Sequence, residues 1–101
     1  MAAHVTRSDG RLDERAVLAA VEAERLSPHR WLNAPGDVYA AHRHAYHKVL
    51  FCLRGSITFH LVGEGDDIEL LPGDRLDIEP RTPHAATVGP RGVECIEAAR
   101  A

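Results

Sequence analysis

Apolar and polar positions change period once along this chain. Between Asp13 and Leu26, Val17, Leu18 and Val21 form one stripe at helical spacing, within a run rich in Ala, Leu, Glu and Arg, residues that favour helix. Asp13 suits the N-cap with Glu14 in the first turn, and Ser27-Pro28 stops the run because the residue before proline avoids helical geometry. The pattern predicts one helix over about 13–26, and its narrow stripe places it on the outside of something larger. From Gly36 onward the period is that of strands. The candidates are Val38–Ala40, His42–His44, Lys48–Leu53, Ser56–Val62, Asp67–Leu71, Arg75–Ile78, His84–Val88 and Val93–Ala98. Arg54-Gly55, Pro72-Gly73, Pro80–Pro83 and Gly89–Gly92 punctuate them with turn residues. Many short strands so spaced predict an all-β sandwich or barrel, about residues 36–98 of a single domain spanning 12–101. Residues 1–11 carry no apolar period and are expected to form a flexible N-terminal arm.

The period also assigns faces. If Arg54-Gly55 is a two-residue hairpin loop, Leu53 pairs with Ser56, Cys52 with Ile57, Leu50 with Phe59 and Lys48 with Leu61. Lys48 then shares a face with Leu50, Cys52, Ile57, Phe59 and Leu61, while His60 falls on the other side with Val49, Phe51 and Leu53. That second face is apolar too, so another sheet edge, the helix or a partner subunit must cover it, and a homodimer would do so most simply. Trp31 lies in a polar linker, SPHRWLNAPGD, where an indole usually anchors the segment on the core.

The candidate chemistry lies in two stretches. In GDVYAAHRHAYHKVLFCLRG, residues 36–55, His42 and His44 are two apart and so share one face of a strand. From Gly36 there are five residues to His42, one to His44, three to Lys48 and six to Gly55. This spacing resembles the first motif of the cupin superfamily, G-x5-H-x-H-x(3,4)-E-x6-G, with Lys48 in place of the glutamate. The stretch Gly73 to His84 has the step of the second motif, G-x5-P-x-G-x2-H-x3-N. It carries Glu79 at the proline, Arg81 at the second glycine and Val88 at the asparagine.

The resemblance implies a double-stranded β-helix, the jelly roll, with His42, His44 and His84 as ligands of a divalent metal ion, Zn, Fe, Ni or Mn, at the barrel mouth. Imidazole suits such ions. Lys48 disturbs this picture, because an ammonium cannot coordinate and repels a dication. Three arrangements would relieve the conflict: Lys48 pairs with a carboxylate at the rim, Lys48 is neutral, or a register slip brings His47 in as a fourth ligand. Lys48 and Tyr46 are the candidate catalytic residues. Arg81 adds a cation near the mouth.

Composition narrows the remaining classes. A net charge of −3 with interspersed signs gives no basic face for nucleic acid. No apolar run reaches membrane-spanning length, and a cytoplasmic protein is expected. Cys52 and Cys95 sit in apolar runs and read as buried free thiols. Phosphate loops, nucleophile elbows and C-x-x-C pairs are missing from the sequence. Two functions fit: a metal-dependent enzyme of dioxygenase or isomerase type acting on a small organic molecule, or a non-catalytic module that binds or senses a small ligand without metal.

Overall fold

The structure, a computed structural model, describes residues 2–8, 13–63 and 65–100. Two long strands organise it. β4 (His47–Leu61) and β7 (His84–Arg100) run antiparallel along their whole lengths, from His47 opposite Arg100 to Leu61 opposite His84. β6 (Arg75–Ile78) pairs with the first half of β4, and β1 (Ala3–Thr6) pairs with β6. β2 (His29–Asn33) adds to the last part of β7. At the other end β5 (Asp66–Leu70) pairs with the second half of β4, and β3 (Val38–His42) with the first part of β7. All of it is one seven-stranded antiparallel sheet.

The sheet folds over on itself. Leu50, Cys52, Leu76 and Ile78 from one end meet Ile57, Phe59, Ala86 and Val88 from the other in a single core cluster. The bend falls where the register of β4 against β7 slips, between Cys52 and Arg54 and again between Gly55 and Ile57. Gly55 and Gly92 stand there, and a Cβ on Gly55 would lie 2.0 Å from the Gly92 carbonyl oxygen. These glycines therefore permit close backbone approach in two bulged strands. The hairpin expected at Arg54-Gly55 and the break expected at Gly89–Gly92 are not turns, and both segments run straight through.

The assigned faces nevertheless hold. Leu50, Cys52, Ile57, Phe59 and Leu61 point into the barrel, while Val49, Phe51 and Leu53 point out. The outer face is covered by α1 (Glu14–Ala23), capped by Asp13, whose carboxylate accepts the Ala16 N–H at 2.9 Å. Val17 and Val21 of α1 pack on Val49, Phe51, Ile96 and Ala98, so burial of this face needs no second copy. Beyond the helix C-terminus, Glu24 pairs with Arg75 and Arg100, and Arg75 also pairs with Asp77.

Two further expectations change. The N-terminal segment is not an arm throughout: Ala3–Thr6 is a strand with Ala3 buried, and residues 9–12 lie outside the described residues. Arg7 and the Ser8 N–H then bond the buried Asp74 carboxylate, which also accepts the Leu71 N–H. Burial works to raise the Asp74 pKa, yet these donors outweigh it and hold the carboxyl below its ordinary value. The Trp31 linker is also a strand, β2, with Trp31 opposite Cys95. Cys52 and Cys95 are directly opposed and both are buried free thiols. The one helix long enough to be recognised among the described residues is far from membrane-spanning, and no described helix is long and apolar enough to cross a bilayer.

Candidate metal centre

His42, the last residue of β3, and His84, the first of β7, are register partners on adjacent strands. Their rings follow, with centroids 4.5 Å apart. His44 lies just past β3 in the connection to β4 and completes the group, at 4.8 Å from the His42 ring and 5.4 Å from that of His84. One ligand nitrogen from each of the three falls within 4.8 Å of the others.

Backbone contacts orient the rings. His84 Nδ1 donates to the Thr82 carbonyl at 2.8 Å and His42 Nδ1 to the Ala40 carbonyl at 2.9 Å. A carbonyl can only accept, so Nδ1 carries the proton in both rings and a neutral ring keeps its lone pair on Nε2. Tethering of this kind is how proteins present imidazole to a metal. Nε2 of His84 and Nε2 of His44 are buried without a hydrogen-bond partner, an arrangement that costs free energy unless some group meets those nitrogens. Burial pushes the His84 pKa down, with the charges of His42, Lys48 and His44 adding to it against the Thr82 bond. His44 is lowered by burial first and then by Lys48 and His42, with Glu97 opposing. Both shifts favour the neutral, ligating form.

The loop 80–83 holds the backbone that carries the third ring. The Arg81 N–H donates to the His44 carbonyl at 2.6 Å, and to do so Arg81 adopts φ +63°. That is the left-handed region which disfavours any residue with a Cβ and explains why the motif carries glycine at this place. Because the side chain is exposed and its loss removes little packing, Arg81→Gly is expected to raise stability by about 0.5–1 kcal/mol. A urea titration of the two proteins would show it, and a loss of stability would mean that the arginine side chain holds the loop.

The remaining candidates separate. Tyr46 stacks on the His44 ring, with centroids 4.8 Å apart and planes at 26°, and burial raises its phenol pKa. His47 does not join the group: its Nε2 lies 2.8 Å from Asp77 on the other side of β4. Lys48 is 8% exposed and faces the barrel interior, with its amine 3.6 Å from the carboxylate of Glu97. Pairing with a carboxylate is thus the arrangement adopted.

A cavity of about 150 Å³ adjoins the histidines, with His42, Lys48, Glu97 and Trp31 in its wall. Glu97 is a residue that sequence reasoning missed, although it stands two places from Cys95 and must share its inward face. Tyr39, edge-on to Trp31 with ring centroids 6.2 Å apart, is another.

A family model described as "Cupin domain" matches residues 23–94. No match is found among curated proteins. Solved structures with similar folds include an RmlC-like cupin from Shewanella frigidimarina, 22% identical with a TM-score of 0.64, covering 75% of this chain and 67% of that one. The polyketide cyclase RemF from Streptomyces resistomycificus is 23% identical with a TM-score of 0.67, covering 73% of this chain and 53% of its own. The DMSP lyase DddQ from Ruegeria pomeroyi is 25% identical with a TM-score of 0.68. It matches over 75% of this chain and only 38% of its own length. This chain thus spans about half of the cyclase and less than half of the lyase.

Proposed function

Since this chain belongs to the cupin family, we propose that it is a metal-binding cupin acting on a small organic molecule as a metal-dependent enzyme of dioxygenase or isomerase type. The observation that carries the reading is the pair of buried, unpartnered Nε2 atoms on His44 and His84 beside the tethered ring of His42. His42, His44 and His84 would hold the ion. A first-row dication there supplies Lewis acidity toward a substrate oxygen or, if redox-active, electrons. The chain's own residues do the rest. Thr82 and Ala40 fix two rings through their carbonyls, the Arg81 N–H holds the backbone that carries the third at the His44 carbonyl, and the cluster is open to solvent on the side of the exposed His42. Lys48 and Glu97 stand in the cavity wall next to His42 as an ion pair that a molecule bound there would touch. Similarity to a cyclase and a lyase supports an enzyme of this fold without naming its substrate.

The experiment is elemental analysis of protein purified without added metal. About one equivalent of a first-row metal per chain is expected, lost in His42→Ala while the fold is kept by circular dichroism. A wild-type protein that binds no metal, even after incubation with zinc, iron, nickel and manganese salts, would sink the enzyme reading. The second reading, a non-catalytic binding module without metal, is favoured by one observation, the Lys48–Glu97 pair, which settles the cavity's charge without an ion. A homodimer, expected as cover for the outer face of β4, loses that reason because α1 packs on it.

A further inference from the structure

The cavity beside the histidines combines an apolar body with a few polar groups: the His42 ring, the Trp31 Nε1–H, which is buried without a hydrogen-bond partner, and the Lys48–Glu97 pair. Trp31, Tyr39, Ile57 and Phe59 form its walls, and Lys48 and Glu97 stand together in them. The Lys48 side chain is nine-tenths buried. Its amine and the Glu97 carboxylate are 3.6 Å apart, too far for a good hydrogen bond. Among the described residues neither head group has another hydrogen-bond or ion-pair partner. Lysine offers only donors and a carboxylate only acceptors. The pair therefore presents, side by side and within a few ångströms, a demand for one acceptor and one donor.

We infer that this cavity selects a small, uncharged, ring-sized molecule bearing a hydrogen-bond acceptor and a donor next to each other, as in a primary carboxamide or a hydroxyl beside a carbonyl. The acceptor meets Lys48 and the donor meets Glu97. Each alternative pays a penalty at one of the two heads. A carboxylate satisfies Lys48 but faces the Glu97 charge, and an ammonium does the reverse. A hydrocarbon removes water from both heads and returns no hydrogen bond. Size sets the other limit: a cavity of about 150 Å³ accommodates one benzene-sized ring, and the aromatic and aliphatic walls suit a flat apolar body. The inference rests on the cavity being a small-molecule site, and it does not require the ion.

Trp31 is the only tryptophan in the chain and lines the cavity, so its fluorescence reports occupancy. The probes are benzamide, benzoate, benzylamine and toluene, titrated into the full chain after chelation so that no ion competes for the carboxylate, with saturation-transfer NMR as a second readout. Benzamide is expected to bind at least about tenfold more tightly than each of the other three. Glu97→Gln should bring benzoate level with or above benzamide, and Lys48→Met should do the same for benzylamine. Equal affinities across the wild-type series, or saturation by none of the probes in either readout, overturns the inference without recourse to the variants. Metal content measured on the untreated samples separates the two readings. Bound metal without discrimination among the probes leaves the metal centre and removes this inference, whereas discrimination in a chain that never binds metal does the opposite.

Discussion

Lys48→Glu is expected to destabilise the metal-free chain and to make it respond far more strongly to a divalent ion than the wild type does. Lys48 is the cation that neutralises Glu97 inside the barrel. Removing it leaves one carboxylate without a partner, and the new glutamate places a second beside it. Breaking a fully buried ion pair costs about 3–5 kcal/mol. The Glu97 side chain is 24% exposed, so with solvent screening the expected loss is nearer 2 kcal/mol. An ion held by the three histidines reverses the balance. The charge of Lys48 already reaches that point, since it helps to lower the pKa of both His44 and His84. A unit charge about 5 Å from another interacts by about 3 kcal/mol at an effective dielectric near 20. Changing its sign beside a dication therefore should raise metal affinity by at least about 100-fold. Melting curves of both proteins with and without zinc chloride test this through the stabilisation a ligand gives the folded state. A zinc-induced shift no larger in the variant than in the wild type would show that residue 48 does not act on the ion.

The grouping of the three histidines was legible in the sequence because its signal is spacing, which survives errors in connectivity. His42 and His84 are distant along the chain, and only the resemblance in step from Gly36 and Gly73 brought them together before the register did. The long strands were not legible for a physical reason. A two-residue hairpin after Leu53 and a bulged strand running straight on both switch the inward positions from even to odd numbers, from Leu50 and Cys52 to Ile57 and Phe59. Face assignment therefore came out the same under either topology. Gly55 and Gly92 look like turn residues, but their missing side chains serve a close crossing of backbones that no local pattern displays. β2 and β1 were missed because HRWLN is mostly exposed and AHVT spans four residues, too little for a period to show. Glu97 was missed because a charged residue in a strand reads as solvent-facing until its partner Lys48 is known to point inward.

Phe51→Ala is expected to lower stability by about 3–5 kcal/mol while leaving the three-histidine cluster intact. Phe51 is 3% exposed and sits on the outer face of β4 among Val17, Val21, Val49 and Ile96, with the Arg75 guanidinium 5.4 Å from its ring centre. Truncation removes the ring from the contact between α1 and the sheet, and the gap cannot close readily because the long β4 and β7 ladders hold the sheet in place. The loss should fall unevenly. A ten-residue helix is too short to persist on its own, so α1 depends on this contact and should exchange its amide hydrogens much faster in the variant. The barrel interior is a separate cluster, built from Leu50, Cys52, Phe59 and their neighbours, and the histidines stand on β3, on the connection from β3 to β4 and on β7. Their backbone tethers do not involve the helix. Metal stoichiometry at a temperature where the variant is folded should therefore equal that of the wild type. If exchange accelerates equally in α1 and around His84, or if metal is lost with the helix still protected, the two faces of β4 are coupled and the site owes its geometry to the helix after all.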